Sequence, residues 1–169
     1  MSDAPTPMAA AWAPRPATVD DAAEVARLLH AFNTEYDTPS PGPEVLAGRL
    51  RTLLAGDATL AILAGPPGAA VGLALVTFRP NVWYAGEVAL LDKLYVRPDL
   101  RGKGIGTRIV DLLLATARSR GVGLVEINVD EGDVDAQRFY ERHGFSVLDP
   151  DTDERAFYYT QELVDSPSS

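Results

Sequence analysis

A glycine-rich turn that joins an apolar strand to an apolar helix limits, more than any other feature, how this chain can fold. The turn reads Arg101-Gly102-Lys103-Gly104-Ile105-Gly106-Thr107. Apolar residues run up to Val96 before it, and apolar residues at helical spacing follow it up to Arg120. A strand followed by a helix is usually continued by a second strand parallel to the first. The sequence therefore predicts an α/β fold in which this helix joins two parallel neighbouring strands.

The rest of the chain divides into short elements of one domain, which suits its 169 residues. Apolar spacing predicts helices over about residues 22–33, 43–54, 104–120 and 133–143. Strand-like runs cover residues 12–17, 58–64, 69–78, 87–96, 124–129, 145–148 and 156–163. We expect a single domain at residues 13–164, with a disordered arm at 1–12 and a disordered tail at 165–169.

Charge and residue usage argue against several classes of function. The chain has 15 Lys and Arg against 24 Asp and Glu, a formal net charge of −9, which disfavours a general binder of nucleic acid or of anionic membranes. It has no cysteine and only two histidines, His30 and His143, so we expect no metal site and no catalytic triad. No apolar run is long enough to cross a bilayer and no signal peptide is evident, so we expect a cytoplasmic protein.

The turn is a basic island in this acidic chain. Residues 97–108 contain one acid, Asp99, and four bases, Arg97, Arg101, Lys103 and Arg108. Glycines let a backbone approach a ligand closely, and a helix N-terminus presents unpaired N–H groups, so the combination indicates an anionic ligand. The spacing matches neither the P-loop, which needs Ser or Thr after Gly-Lys, nor the dinucleotide fingerprint, which needs a third glycine at Thr107.

Two motifs resemble a known family of enzymes. Arg101-Gly102-Lys103-Gly104-Ile105-Gly106 matches the Arg/Gln-x-x-Gly-x-Gly/Ala signature of the GNAT superfamily of N-acetyltransferases, and Leu94-Tyr95-Val96-Arg97-Pro98 is similar to the strand that precedes it there. Residues 136–145 resemble the family's Ala-x-x-Phe-Tyr-x-x-x-Gly-Phe segment. The order of elements agrees from about residue 13 to 163. The resemblance implies a central mixed, twisted sheet with a splayed parallel strand pair and flanking helices.

The resemblance also implies acetyl-CoA as the acyl donor, held where the two parallel strands splay apart. Its pantetheine arm would pair with the backbone of Leu94, Tyr95 and Val96. Its pyrophosphate would sit on the N–H groups of Gly102, Lys103, Gly104, Ile105, Gly106 and Thr107, with added charge from Arg101 and Lys103.

Transfer to an amine requires a base, because an amine with a pKa near 10.4 is protonated at pH 7. Glu87 and Asp92 are the candidates, and their odd separation places them on opposite faces of one strand unless a bulge intervenes. The resemblance favours Asp92, which stands at the strand position seen in polyamine-type acetyltransferases. It also places Tyr140 where similar enzymes have the acid that protonates the leaving thiolate. Asp133 stands where the family often has Asn, and a carboxylate offers the cofactor no donor.

The predicted function is acetyl-CoA-dependent transfer of an acetyl group to a primary amine by direct attack in a ternary complex. The acceptor would be a small molecule or a peptide, and the acidic chain favours a cationic one. Glu35-Tyr36-Asp37 and Trp83-Tyr84 are acidic and aromatic groups that could border its pocket. A non-catalytic acyl-CoA sensor or interaction module is the alternative, and a nucleotide-phosphate binder is the third hypothesis. The sequence leaves open whether the protein forms a homodimer.

Overall fold

A five-stranded mixed sheet forms the centre of the protein. The computed structural model describes residues 10–163. The strands follow one another across the sheet in chain order: β1 (Pro14–Pro16), β2 (Thr59–Ala64), β3 (Gly72–Arg79), β4 (Val88–Val96) and β5 (Leu124–Ile127). The pairs from β1 to β4 are antiparallel, and β4 pairs with β5 in parallel. The predicted mixed sheet with a parallel pair is thereby confirmed.

Among the described residues, four α-helices of nine or more residues cover the two faces of the sheet. They are α1 (Ala22–Glu35), α2 (Pro43–Leu54), α3 (Ile105–Arg120) and α4 (Val134–Arg142). The face under α1 and α2 is packed by side chains that include Val25, Leu28, Leu50, Leu63 and Leu73. Alternate residues of the same strands point to the other face, where the cluster around α3 includes Ile62, Leu91, Ile105, Ile109 and Leu113. Tyr140 of α4 belongs to this second cluster.

Gly72 sets how closely α3 approaches the sheet. A Cβ added at Gly72 would lie 2.9 Å from Ile109 Cδ1 and 3.2 Å from Ile105 Cγ2. A larger residue would therefore force the side chains of Ile105 and Ile109 to move. The small residue at position 72 thus lets α3 pack closely on β3.

The parallel pair is shorter than β4 itself. Residues 88–91 of β4 pair with residues 124–127 of β5, and the pairing ends at Leu91. On its other side, β4 stays paired with β3 as far as Val96, opposite Gly72. Residues 92–96 therefore have one backbone edge that β5 does not cover. We call it the free edge of β4, and it corresponds to the predicted splay.

The prediction of two further strands at residues 145–148 and 156–163 was wrong. Among the described residues, this stretch forms one isolated bridge, between Leu148 and Arg155. Phe157, Tyr158 and Tyr159 are 71%, 72% and 87% exposed. Aromatic residues favour strands because their side chains pack on a pleated surface, and the rings of this segment have no such surface beneath them.

The predicted arm and tail fall mostly outside the described residues. Residues 1–9 and 164–169 are not described, whereas Trp12 is described and packs against the cluster around α3. Between residues 10 and 163, no helix is long and apolar enough to cross a membrane. The same range contains no group of His, Cys, Asp or Glu side chains that could hold a metal ion.

Candidate active site

The free edge of β4 presents backbone groups to the gap between β4 and β5. The N–H of Arg97 donates to the carbonyl of Val71 at 2.9 Å. Because hydrogen-bonding direction alternates along an antiparallel pair, the N–H and C=O groups of Leu94 and Val96 point away from β3, and those of Tyr95 point toward it. An extended ligand that carries amides can hydrogen-bond to such an edge as an added strand. Of the three residues predicted to pair with pantetheine, Leu94 and Val96 offer backbone groups there.

The glycine-rich turn leads from the free edge into α3. Gly102 and Gly104 have φ angles of 74° and 76°, in the left-handed region that glycine adopts without strain. Gly104 is the N-cap of α3, so the N–H groups of Ile105, Gly106 and Thr107 have no partner within the helix. N–H groups of this kind and the positive end of a helix dipole attract anions, and we call these groups the candidate anion site.

Gly106, the third glycine of the turn, also allows close packing. A Cβ at this position would lie 3.4 Å from Cζ of Phe139 and 3.9 Å from Cγ2 of Val96. A Cβ here would make ordinary van der Waals contacts, so the space suits the small residue, Gly or Ala, of the signature.

Carboxylates pair with two of the bases around the turn. Arg101 forms a bidentate ion pair with Glu35 at the end of α1, with Nη1–Oε1 at 2.7 Å and Nη2–Oε2 at 2.8 Å. Its Nε also donates to the carbonyl of Val96 at 2.9 Å. Arg97 donates to Asp99 through Nε and Nη2, both at 2.7 Å. The positive charge expected for the turn is therefore partly balanced by local carboxylates.

Lys103 and Trp12 bring the glycine-rich turn together with the start of the described chain. The ammonium group of Lys103 lies 5.7 Å from the centroid of the Trp12 ring, within the range of a cation–π contact.

Tyr140 is a buried side chain on α4. It is 8% exposed and lies in the cluster that includes Leu94 and Val96 of the free edge. Its ring meets Phe139 and Phe145 edge-on, with centroids 5.1 and 5.6 Å apart. No hydrogen bond joins its hydroxyl to any other described residue. Burial, and to a lesser degree the carboxylate of Asp133, raise the pKa of Tyr140 above its ordinary value, so the hydroxyl stays protonated at neutral pH.

A bulge in β4 occurs at Asp92. Lys93 lies opposite Leu75 and Leu91 lies opposite Val76, so Asp92 has no opposing residue in β3. Its Oδ2 accepts a hydrogen bond of 2.5 Å from Oγ1 of Thr77. Asp92 is also the first residue of β4 beyond the parallel pairing. The bulge therefore places a carboxylate where the gap opens.

Glu87 lies at the opposite end of β4, just before the strand begins. Its carboxylate accepts hydrogen bonds from Arg120, at 2.6 Å from Nε and 3.2 Å from Nη2. The hydrogen bond from Arg120 is the main cause that lowers the pKa of Glu87. Arg120 belongs to α3, so Glu87 points to the face of α3, whereas Asp92 follows the α3-facing Leu91 and points to the other face. A carboxylate held in this way is a weaker base than a free one.

An aromatic cluster lies beside the free edge on the face of α1. The ring of Phe32 meets Tyr36 and Tyr95 with centroids 4.8 and 6.1 Å apart. The ammonium group of Lys93 lies 4.9 Å from the centroid of the same ring. Burial is the main cause that raises the pKa of Tyr95, and the charge of Glu35 adds to it.

Several of these contacts were missed by sequence reasoning. The sequence indicated Glu35 and Tyr36 as acidic and aromatic neighbours of a pocket, but not the ion pair of Glu35 with Arg101. It gave no sign of Thr77 as a partner of Asp92. These pairs are 66 and 15 residues apart, so no local pattern encodes them.

Comparison with a family model shows to which protein family the chain belongs. The model of the acetyltransferase (GNAT) family matches residues 23–145, a range that contains the free edge, the glycine-rich turn and Tyr140. The chain belongs to the GNAT family. Members of this family use acetyl-CoA as their acyl donor. The amide-bearing free edge and the candidate anion site at α3 offer the two kinds of group that this ligand requires.

Curated GNAT relatives match parts of the chain. An uncharacterized N-acetyltransferase of Methanocaldococcus jannaschii is 41% identical over 59 residues, which are 35% of this chain and 26% of that protein. The aminoglycoside N(6')-acetyltransferase type 1 of Klebsiella aerogenes is 36% identical over 80 residues, 46% of this chain and 50% of that protein. The matched region thus spans half or less of the length of either relative.

Solved structures match nearly the whole GNAT domain. A crystal structure from Arthrobacter sp. FB24 is 52% identical, covers 89% of this chain and 95% of its own, and has a TM-score of 0.83. An aminoglycoside acetyltransferase from an uncultured soil metagenomic sample, solved with sisomicin, has a TM-score of 0.74 at 17% identity and covers 92% of this chain and 99% of its own. The latter likeness shows the fold alone.

Proposed function

We propose that this GNAT acetyltransferase transfers the acetyl group of acetyl-CoA to a primary amine by direct attack while both substrates are bound. The observation that carries this proposal is the arrangement around the gap between β4 and β5. β4 has a free backbone edge, the start of α3 has the candidate anion site, and α4 carries a buried tyrosine with no hydrogen-bond partner among the described residues.

The binding roles follow from the backbone. Leu94 and Val96 would hydrogen-bond to the pantetheine arm along the free edge. The N–H groups of Ile105, Gly106 and Thr107 would hold the pyrophosphate, with Gly102 and Gly104 shaping the turn around it. Lys103 would add charge at the edge of this site.

The proton-transfer roles belong to two side chains on opposite faces of the sheet. Acetyl-CoA supplies an activated acyl carbonyl, and the protein supplies position and proton transfer. Asp92 would take the proton of the incoming amine, directly or through water. Tyr140 would give its proton to the leaving thiolate, which suits a hydroxyl that burial keeps protonated. We favour Asp92 over Glu87 as the base because Arg120 already holds Glu87.

The acceptor is proposed to be a cationic amine. The formal net charge of −9 favours the approach of a cation. Among the relatives, the enzyme from Klebsiella aerogenes is named for an aminoglycoside, which also supports this choice.

We further propose a cytoplasmic location, which the absence of cysteine suits.

Thermal unfolding with and without saturating acetyl-CoA tests the cofactor. A ligand present at 100 times its dissociation constant stabilises a protein by about 2.7 kcal/mol, which raises the Tm by roughly 5–10 °C for a domain of this size. ATP and NAD serve as controls and should produce no comparable shift. A larger shift with ATP than with acetyl-CoA would overturn the proposal.

A panel of amines tests the reaction itself. Release of free thiol from acetyl-CoA is measured with aminoglycosides, polyamines, amino acids, aminoalkylphosphonates and lysine peptides. We expect turnover with a cationic member of the panel. Binding of acetyl-CoA without turnover on any of these amines would favour the acyl-CoA sensor instead.

A further inference from the structure

The guanidinium group of Arg101 is engaged on both of its hydrogen-bonding edges. Its Nη1 and Nη2 face the two carboxylate oxygens of Glu35, and its Nε donates to the carbonyl of Val96. A phosphate needs one of these edges to bind an arginine with two parallel hydrogen bonds. An anion that binds the side chain of Arg101 in this way must therefore displace Glu35 or the carbonyl of Val96.

Glu35 is the partner that is more easily displaced. The side chains of Arg101 and Glu35 are 42% and 27% exposed, and ion pairs open to solvent are weak. Glu35 is the last residue of α1, so its side chain can turn away from Arg101 without disturbing the helix. The carbonyl of Val96, in contrast, belongs to the backbone of the paired strand β4 and cannot turn away as a side chain can.

We propose that Glu35 competes with the pyrophosphate of acetyl-CoA for the guanidinium of Arg101, so that binding of the cofactor releases the Glu35 carboxylate to the acceptor. This inference rests on the proposed function. Glu35 precedes Tyr36 and lies about one helical turn from Phe32, and the rings of these two residues are in contact. The Phe32 ring also makes a cation–π contact with the ammonium group of Lys93. A carboxylate beside aromatic rings suits a cationic amine. The acceptor therefore gains this carboxylate only after acetyl-CoA has bound.

Affinity for acetyl-CoA, measured by calorimetry at low ionic strength, tests the competition. Glu35→Gln removes the competing carboxylate, and Glu35→Asp keeps its charge but shortens the side chain so that it no longer reaches Arg101. We expect both variants to bind acetyl-CoA about two- to fivefold more tightly than the wild type, the range for loss of an exposed ion pair. Neither should change affinity for acetyl-pantetheine, which lacks the pyrophosphate.

Asp37→Asn is the matched control for charge. Asp37 lies two residues from Glu35 and has a φ of 49°, a conformation that asparagine tolerates. This variant removes one negative charge and leaves the pair of Glu35 with Arg101 in place. We expect its affinity for acetyl-CoA to equal that of the wild type. An equal gain in affinity for Asp37→Asn would mean that long-range charge, not competition, is responsible, and would overturn the inference.

A double variant and steady-state kinetics complete the test. In an Arg101→Gln background, Glu35→Gln should have no further effect on affinity. With the amine that the panel identifies, Glu35→Gln should lower the KM for acetyl-CoA and raise the KM for the amine, a split that a merely structural role would not produce. Weaker binding of acetyl-CoA by Glu35→Gln would mean that Glu35 positions Arg101 for the cofactor, and would overturn the inference while leaving the proposed function intact. If the wild type fails to bind acetyl-CoA, both fall.

Discussion

Tyr140 and Asp92 lie on opposite faces of the sheet. Tyr140 packs in the cluster around α3. Asp92 follows Leu91 of that cluster and points to the face of α1 and α2, where it accepts a hydrogen bond from Thr77. In the proposed mechanism, Tyr140 would give a proton on one face and Asp92 would take a proton on the other. Because the two side chains do not share a face, each proposed role can be tested by its own substitution.

Replacement of Tyr140 by Phe should separate catalysis from binding. The variant keeps the ring contacts with Phe139 and Phe145 and loses only a hydroxyl that bonds to no other described residue. We expect kcat to fall by about 10² or more, the usual contribution of a general acid. The Kd for acetyl-CoA, measured by calorimetry, and the Tm should stay close to those of the wild type. Unchanged turnover would remove Tyr140 from the mechanism.

Paired substitutions at Asp92 and Glu87 should identify the base. Asp92→Asn should lower kcat by about 10² in the thiol-release assay, because the amine proton loses its acceptor. Glu87→Gln should leave kcat within a few-fold, since the Glu87 carboxylate is occupied by Arg120. The Tm of each variant is measured to exclude unfolding as a cause. The reverse result, a large loss at Glu87 and a small one at Asp92, would exchange the two assignments.

The junction between β1 and α1 depends on one carboxylate. Asp21 accepts hydrogen bonds from Nη1 and Nη2 of Arg15 at 2.8 and 2.7 Å and from the N–H of Thr18 at 2.8 Å. The hydrogen bond from Arg15 is the main cause that holds the pKa of Asp21 well below its usual range. The Asp21 carboxylate thereby links the edge strand β1 to the turn that leads into α1.

Asp21→Asn should destabilise the fold at neutral pH, and less so in acid. We expect a loss of about 2 kcal/mol in the free energy of unfolding at pH 7, since hydrogen bonds to charged groups each contribute about 1.5–3 kcal/mol. Because the folded pKa is depressed, this contribution is complete above the unfolded pKa of about 3.9 and is lost as the pH falls toward the folded pKa. Urea unfolding at pH 7 and pH 3 should show the difference between wild type and variant narrowing. Asp20→Asn, the same change one residue earlier, should have little effect at either pH.

Most elements of this fold could be predicted from local patterns, and the finer geometry of the site could not. The hairpin of β2 and β3, the four helices and the parallel pair follow from apolar spacing and from Gly and Pro at the boundaries. The bulge at Asp92 and the end of pairing at Leu91 depend on neighbouring strands that no local window contains. The ion pair of Arg101 with Glu35 joins residues 66 positions apart.

At the scale of the whole molecule, the described sheet ends at β5, which has only four residues. The chain beyond α4 adds an isolated bridge but no strand. The prediction of two strands there was wrong because residues that favour strands also need a surface against which their side chains can pack. Phe157, Tyr158 and Tyr159 remain exposed instead.

Substitution of these exposed rings should therefore have little effect on stability. We expect the double variant Phe157→Ser and Tyr159→Ser to change the free energy of unfolding in urea by no more than about 0.5 kcal/mol per site, as is usual for surface positions. Leu113→Ala, in the fully buried cluster around α3, is the positive control and should cost about 2–5 kcal/mol. A loss of several kcal/mol in the double variant would show that the segment packs against the domain in solution.

β4 lies inside the sheet, but β5 does not cover its free edge. The amide protons along this part of β4 should therefore exchange in an alternating pattern. The N–H groups of Lys93 and Tyr95 face β3 and should exchange with deuterium slowly, whereas those of Leu94 and Val96 face the gap and should exchange quickly. Hydrogen exchange followed residue by residue by NMR would reveal this pattern, and uniform protection along residues 93–96 would contradict it. Slowing at Leu94 and Val96 alone when acetyl-CoA is added would mean that the metabolite completes the sheet as its missing strand.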